Sequence, residues 1–147
     1  MSLSLSQARA IIDTALEKGR ADAAQPLAVV VLDAGAHPVA CVREDGASLF
    51  RFDIATAKAT GALGMGADTR IIAARAANNP AFFQSVVAAT GGRLALSPGG
   101  VLIRDMEGPK AGNVIGAVGI SGDTGDCDEA CAVAGILAAG LFHGDSK

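Results

Sequence analysis

Three basic side chains are the residues of this sequence best suited to hold a ligand. His37 lies in the segment 33–38, whose Asp, Gly and Pro residues predict a turn, and a neutral imidazole there could coordinate a metal. Arg43 ends a predicted strand, and Lys58 lies on the following predicted helix among apolar, Ala-rich neighbours, so each could meet an anionic ligand. The alternatives are a solvated turn histidine and cations that extend to water.

A glycine pair offers a second kind of contact. Gly99 and Gly100 follow Ser97-Pro98, and because glycine has no Cβ a ligand could lie there against bare backbone. An ordinary tight turn is the alternative.

Acidic residues surround the start of the last predicted helix. Asp126 or Glu129 could act as a general base, with Lys58 or Arg43 stabilising a developing oxyanion. The alternative is helix capping, because a carboxylate near a helix N-terminus accepts free N–H groups and complements the dipole. The catalytic residues, if the chain has any, therefore remain undetermined among Asp126, Glu129 and Lys58.

Composition excludes several classes of protein. The chain has 147 residues, of which 50% are hydrophobic and 18% charged, which predicts one folded domain over residues 1–147 and excludes a disordered chain. The net charge of −3 and the absence of Trp and Tyr argue against nucleic-acid binding. Because small residues do most of the packing, we expect a homo-oligomer in which part of the core is completed between subunits.

Cysteine usage and hydropathy bear on the compartment. Three cysteines, Cys41, Cys127 and Cys131, make an odd number with no paired spacing, which suits a reducing environment. The N-terminal residues do not have the pattern of a signal peptide. The longest uncharged apolar stretch, 130–142, is too short to cross a bilayer. We therefore expect a cytoplasmic protein with no membrane partner.

Periodicity predicts the elements that must position these residues. Apolar residues recur with helical spacing from Ser4 or Ser6 to Lys18, and Gly19 is expected to stop that helix. The remaining segments predict strands at 27–33 and 39–44, helices at 49–63, 68–77 and 81–88, strands at 93–97, 101–105 and 113–121, and a helix at 127–141. Hairpins joined by short turns predict an α+β fold with a five-stranded antiparallel sheet flanked by helices, for which a profilin-like three-layer arrangement is one solution.

Five short blocks, in order along the chain, resemble one family. They are Val30-Val31-Leu32-Asp33-Ala34-Gly35, Arg43-Glu44-Asp45-Gly46-Ala47, Ala55-Thr56-Ala57-Lys58-Ala59, Pro98-Gly99-Gly100, and Val114-Ile115-Gly116-Ala117-Val118-Gly119-Ile120-Ser121-Gly122, the last continuing into Asp126-Cys127-Asp128-Glu129. The sequence resembles GlcG/HbpS-like proteins, often labelled haem-degrading, which are related to the C-terminal domain of PduO-type proteins. The resemblance implies an α/β domain with a five-stranded antiparallel sheet, assembled into dimers or larger rings. It also implies an association with haem or corrinoid and with small-molecule catabolism.

Two functional hypotheses follow from the residues and the resemblance together. The first is an oligomeric binding protein, accessory to a catabolic pathway, that holds haem or another tetrapyrrole. His37 would be the axial ligand of the iron, Arg43 and Lys58 would meet carboxylates, and Gly99 and Gly100 would line the site. The second is an enzyme that acts on a small carbonyl or hydroxy acid by acid/base chemistry.

Overall fold

The computed structural model describes residues 2–108 and 112–144, which form alternating helices and strands around one sheet. The helices are α1 (Leu5–Ala21), α2 (Arg51–Met65), α3 (Thr69–Asn78), α4 (Pro80–Ala89) and α5 (Gly125–Ala138). The strands are β1 (Ala28–Asp33), β2 (Pro38–Arg43), β3 (Gly100–Arg104), β4 (Val114–Ser121) and β5 (Phe142–His143). Each neighbouring pair in the order β2-β1-β4-β3-β5 is antiparallel, so hairpins and longer connections together build one open sheet.

The sheet is covered by helices on both faces. Alternate residues of a strand point to opposite faces, so Val29 and Val31 pack with α1 and α5, whereas Val30 and Leu32 pack with α2. This double burial explains why β1 is a continuous apolar run. The predicted α+β class with a five-stranded antiparallel sheet flanked by helices is therefore confirmed.

Two glycines let α2 approach the sheet closely. A Cβ added to Gly119 of β4 would collide with the carbonyl oxygen of Ala55, and one added to Gly100 of β3 would collide with that of Lys58. The helix meets these glycines with a face of buried alanines, Ala55, Ala59 and Ala62. Small residues on both partners thus set the separation between helix and sheet.

Helices α3 and α4 form a separate small core. Its buried residues are Ala67, Ile72, Ala76, Phe83 and Leu94. This cluster explains why the strand predicted at 93–97 is wrong. Leu94 turns into the α3/α4 core after two glycines with positive φ, and β5 takes the edge of β3 instead through the pairing of Ile103 with His143.

The first helix also ends differently from the prediction. Gly19 lies inside α1 and is buried. A Cβ at this position would lie 2.8 Å from Leu27 Cδ1, so the glycine makes room for Leu27. The helix continues to Ala21, and Ala23 takes the left-handed position with φ of 55°. Ser4 is the N-cap and forms a capping box with Gln7, so the earlier of the two predicted serines is the one used.

Candidate functional site

His37 is an exposed imidazole on the turn between β1 and β2. One carboxylate oxygen, Asp33 Oδ1, accepts hydrogen bonds from the backbone N–H groups of Gly35 (2.9 Å) and His37 (3.0 Å). The same oxygen lies 3.4 Å from His37 Nδ1, and 80% of the His37 side chain is exposed. The backbone N–H of His37 holds the pKa of Asp33 below its usual range, so this carboxylate stays ionised at neutral pH. The imidazole thus lies beside an ionised carboxylate, with most of its surface open to a ligand.

A cleft of about 310 Å³ lies beside this turn. It is lined by Ser2, Leu3, Asp33, Ala34, Gly35, His37, Asn113, Val114 and Ile115. The lining combines an apolar wall from the start of β4 with the Asp33–His37 pair. It therefore offers both a metal-binding nitrogen and an apolar surface.

Arg43 lies at the far end of β2 from His37. Six residues of extended chain separate them by roughly 20 Å. The guanidinium of Arg43 donates to the carbonyl oxygen of Ala47 at 3.0 Å and lines a shallow surface depression with Arg20, Pro26, Glu44 and Asp45. Within one copy of the chain, the structure does not bring Arg43 and His37 together.

Lys58 is buried in an ion pair with Asp128. Its Nζ donates to Asp128 Oδ2 at 3.1 Å and to the carbonyl oxygen of Ile120 at 2.9 Å, and the two charged side chains are only 3% and 2% exposed. Burial lowers the pKa of Lys58 and raises that of Asp128, and the attraction between the two charges partly offsets both shifts. The pair connects α2, β4 and α5 inside the fold.

Gly99 and Gly100 were expected to leave bare backbone for a ligand, but in the structure they lie against Lys58 inside the fold. A Cβ on Gly99 would lie 2.8 Å from Lys58 Nζ, and one on Gly100 would lie 2.7 Å from Thr69 Cγ2. The backbone N–H of Gly100 donates to Thr69 Oγ1 at 2.8 Å. The bare backbone is thus occupied by the protein's own side chains.

Asp126 and Glu129 both bind Arg70. Arg70 Nε donates to the two carboxylate oxygens of Glu129 at 2.9 and 3.0 Å, and Arg70 Nη2 pairs with Asp126 Oδ1. This arrangement joins the N-terminal turns of α3 and α5. Glu129 lines a cleft, but neither Lys58 nor Arg43 lines the same one. The base and oxyanion partner of the enzymatic hypothesis are therefore not assembled.

The cleft that Glu129 lines contains residues that the sequence reasoning did not single out as a site. It has a volume of about 430 Å³ and lies between α3, α5 and the β3–β5 edge of the sheet. Its lining is Gly66, Ala67, Asp68, Arg70, Ile71, Arg75, Leu102, Arg104, Glu129, Val133, His143 and Gly144. One sequence signal was available: Leu102 and Arg104 are two residues apart on a strand and so share a face.

The described residues provide no preformed metal centre and no membrane span. Across residues 2–108 and 112–144, no group of three or more His, Cys, Asp or Glu side chains could hold a metal ion. Within the same ranges, no helix is long and apolar enough to cross a membrane.

Comparison with known proteins gives one family and several solved structures. The family model described as "Haem degrading protein HbpS-like" matches residues 3–137. A PduOC:heme complex superposes with a TM-score of 0.84 at 24% identity, covering 97% of this chain and 98% of that chain. HbpS gives 0.77 at 26% identity over 93% and 89% of the two chains, and Klebsiella pneumoniae protein ORFY gives 0.82 at 22% identity over 94% and 90%. No curated protein matched the sequence.

Proposed function

The chain belongs to the HbpS-like family of haem-degrading proteins, and from that premise we propose that it binds haem with His37 as the axial ligand of the iron. The observation that carries the proposal is the exposed imidazole of His37, whose Nδ1 lies 3.4 Å from Asp33 Oδ1. In metal sites, the second nitrogen of a histidine ligand usually faces a carboxylate, a carbonyl oxygen or a water, and Asp33 supplies such a carboxylate here. The family description and the haem complex of the PduOC neighbour both specify haem, so we propose haem rather than a corrinoid.

The cleft beside His37 supports a ligand that is only partly covered by one chain. Its volume of about 310 Å³ is at the low end for a small-molecule pocket, so a haem there would project beyond the lining residues. A haem bound to His37 would also not reach Arg43 of the same copy, roughly 20 Å away along β2. Lys58 is already paired with Asp128. The contacts that would complete the site must therefore come from elsewhere.

We propose that a second copy of the chain supplies them, in a dimer or a larger ring. Two features of the fold support self-association. β2 is an outer strand of the sheet, so one of its edges has no partner strand among the described residues. Leu49 and Phe50, just before α2, are 77% and 66% exposed. Large exposed apolar side chains close together are typical of interaction surfaces.

Titration with haemin tests the proposal, and the chain's two histidines provide a matched pair of variants. We expect a saturable shift of the Soret band with the wild-type protein. His37→Ala should lose that shift, whereas His143→Ala should keep it, because His143 lies on β5 at the opposite edge of the sheet. A shift that survives His37→Ala, or that disappears with His143→Ala alone, contradicts the assignment of the axial ligand.

Cytoplasmic location and an accessory role in small-molecule catabolism are further parts of the proposal. The location is supported by the cysteines, since Cys41, Cys127 and Cys131 are all free in the structure. The catabolic role rests on the resemblance alone.

An enzyme that uses Asp126 or Glu129 with Lys58 or Arg43 is not favoured, because these groups do not share a cavity.

A further inference from the structure

The cleft between α3 and α5 lies at the opposite edge of the sheet from His37. In the order β2-β1-β4-β3-β5, His37 precedes the outermost strand on one side, whereas the cleft lies along β3 and β5 on the other. At about 430 Å³ it is larger than the cleft beside His37. A ligand bound here would not contact a haem held by His37 of the same copy.

Two of the three arginines that line the cleft have no carboxylate partner among the described residues. Arg70 is neutralised, because Asp126 and Glu129 both bind it. Arg75 and Arg104 form no ion pair within residues 2–108 and 112–144. Asp68 is the carboxyl group that remains to face them. Arg75 and Arg104 are therefore the two guanidinium groups of the lining that remain for an anionic ligand.

Arg104 has a donor that the described chain leaves unused. Its Nη1 donates to the carbonyl oxygen of Gly112 at 3.3 Å, which fixes the guanidinium against the β3–β4 connection. Its Nε is buried and has no hydrogen-bond partner within the described ranges. An atom that water cannot touch is equally closed to a ligand, so an anion in the cleft would bind the part of Arg104 that lines it.

Asp68 is bound to the backbone of β3 at the wall of the cleft. Its Oδ1 accepts the backbone N–H of Leu102 at 2.9 Å, so the carboxyl group is held at the cleft wall. Burial raises the pKa of Asp68, as does the charge of Glu129, while the His143 and Arg104 charges and the Leu102 N–H oppose the shift. Burial thus makes the ionised form of Asp68 less favourable than it is in water.

We propose that this cleft binds a small organic carboxylate whose charged end pairs with Arg75 and Arg104. The planar guanidinium matches a carboxylate with two parallel hydrogen bonds, which favours this anion over a simple halide. The hydrocarbon part of the ligand lies on Ile71, Leu102 and Val133, the apolar residues of the lining. The site goes beyond the proposed haem binding, and neither depends on the other.

Three probes separate a carboxylate site from a general anion site. Sodium butyrate supplies a carboxylate with a short apolar chain, butyramide has a similar shape without the charge, and inorganic phosphate is an anion without the apolar part. At constant ionic strength, we expect butyrate to produce saturable backbone amide shifts at residues 66–71 and 102–104. Butyramide and phosphate should bind at least tenfold more weakly. No saturable shift with butyrate, or equal binding of phosphate, overturns the proposal.

Arginine variants locate the site. Arg104→Gln should raise the butyrate Kd at least tenfold and Arg75→Gln several-fold, whereas Arg9→Gln on α1, an exposed arginine outside the lining, should leave the Kd unchanged. Arg75 is exposed, so its variant keeps the test valid if the half-buried Arg104 proves necessary for folding. An unchanged Kd in Arg75→Gln contradicts the proposal. Haemin titration of Arg75→Gln should match the wild type.

Discussion

At the scale of single residues, partners distant in the sequence decided what each candidate does. Lys58 was expected to reach water or a ligand, yet its ammonium binds Asp128, 70 positions later. The spacing of residues along a helix cannot reveal such a partner. His37 is different, because the carboxylate beside it, Asp33, is four residues away on the same turn. A neighbour that close along the chain can be inferred from a sequence, whereas the pairing of Lys58 with Asp128 requires the fold.

Replacing Lys58 alone should destabilise the protein strongly. Lys58→Met removes one partner of a buried ion pair and leaves Asp128 without its cation, which we expect to lower the free energy of unfolding by about 3–5 kcal/mol. The double variant Lys58→Met/Asp128→Leu removes both charges and should recover most of the loss. Urea denaturation at pH 7 measures both. A single variant within about 1 kcal/mol of the wild type would show that the pair is dispensable.

Asp68 should impose a pH dependence on stability. Because its pKa in the folded state is raised above the ordinary value of 3.8, the folded protein binds this proton more tightly than the unfolded chain does. The free energy of unfolding of the wild type minus that of Asp68→Asn should therefore fall as pH rises from about 3.8 through the folded-state pKa of Asp68. Above that pKa the difference should level off. Urea denaturation of both proteins across this range gives the difference. A difference that is flat, or that changes in the opposite direction, contradicts the assigned shift.

At the scale of elements, periodicity predicted those that are long or continuously apolar. It identified the amphipathic helix α1, the buried strand β1 and the helix α2 with bounds close to those observed. It failed where tertiary contacts prevail. Residues 93–97 look like a strand, but Leu94 fills the α3/α4 core, and β5, the strand that pairs instead, is only two residues long. A pairing that short has no periodic signal to detect.

The contact between α2 and the sheet should tolerate no added volume. Gly119→Ala places a methyl group against the carbonyl oxygen of Ala55, and overpacking of this kind is expected to cost at least about 1–3 kcal/mol. Gly64→Ala on α2 is the control, because no atom lies within 4 Å of its added Cβ. Because alanine has a higher helix propensity than glycine, Gly64→Ala should instead stabilise the protein by up to about 1 kcal/mol. Thermal and urea unfolding of both variants check the opposite signs.

At the scale of the whole molecule, the two clefts occupy opposite edges of one sheet. The turn predicted at 33–38 contributes three residues to the lining of the first cleft, because Asp33, Gly35 and His37 are close along the chain. It did not reveal the second edge, whose lining comes from α3, β3, α5 and β5. Sites assembled from several distant segments need the topology before they can be seen. The strand order was likewise beyond the reach of periodicity.

Self-association through Leu49 and Phe50, the exposed residues before α2, can be tested by measuring the molecular mass of the protein in solution. We expect light scattering after size exclusion to give at least a dimer for the wild type. Leu49→Ser/Phe50→Ser should lower the mass, because it removes the two most exposed of the large apolar side chains. Phe82→Ser, which changes a 51% exposed aromatic on α4, is the control and should leave the mass unchanged. A monomeric wild type, or equal loss of mass in both variants, contradicts this interface.

The glycines beneath α2 also constrain how relatives of this chain can diverge. Gly100 and Gly119 lie on adjacent strands and contact the same helix, which lies too close to the sheet for a methyl group at either position. A lineage that acquires alanine at one of them must displace the helix outward, and that displacement would free the other position to change as well. We therefore expect the two sites to covary across homologues, remaining glycine together or enlarging together.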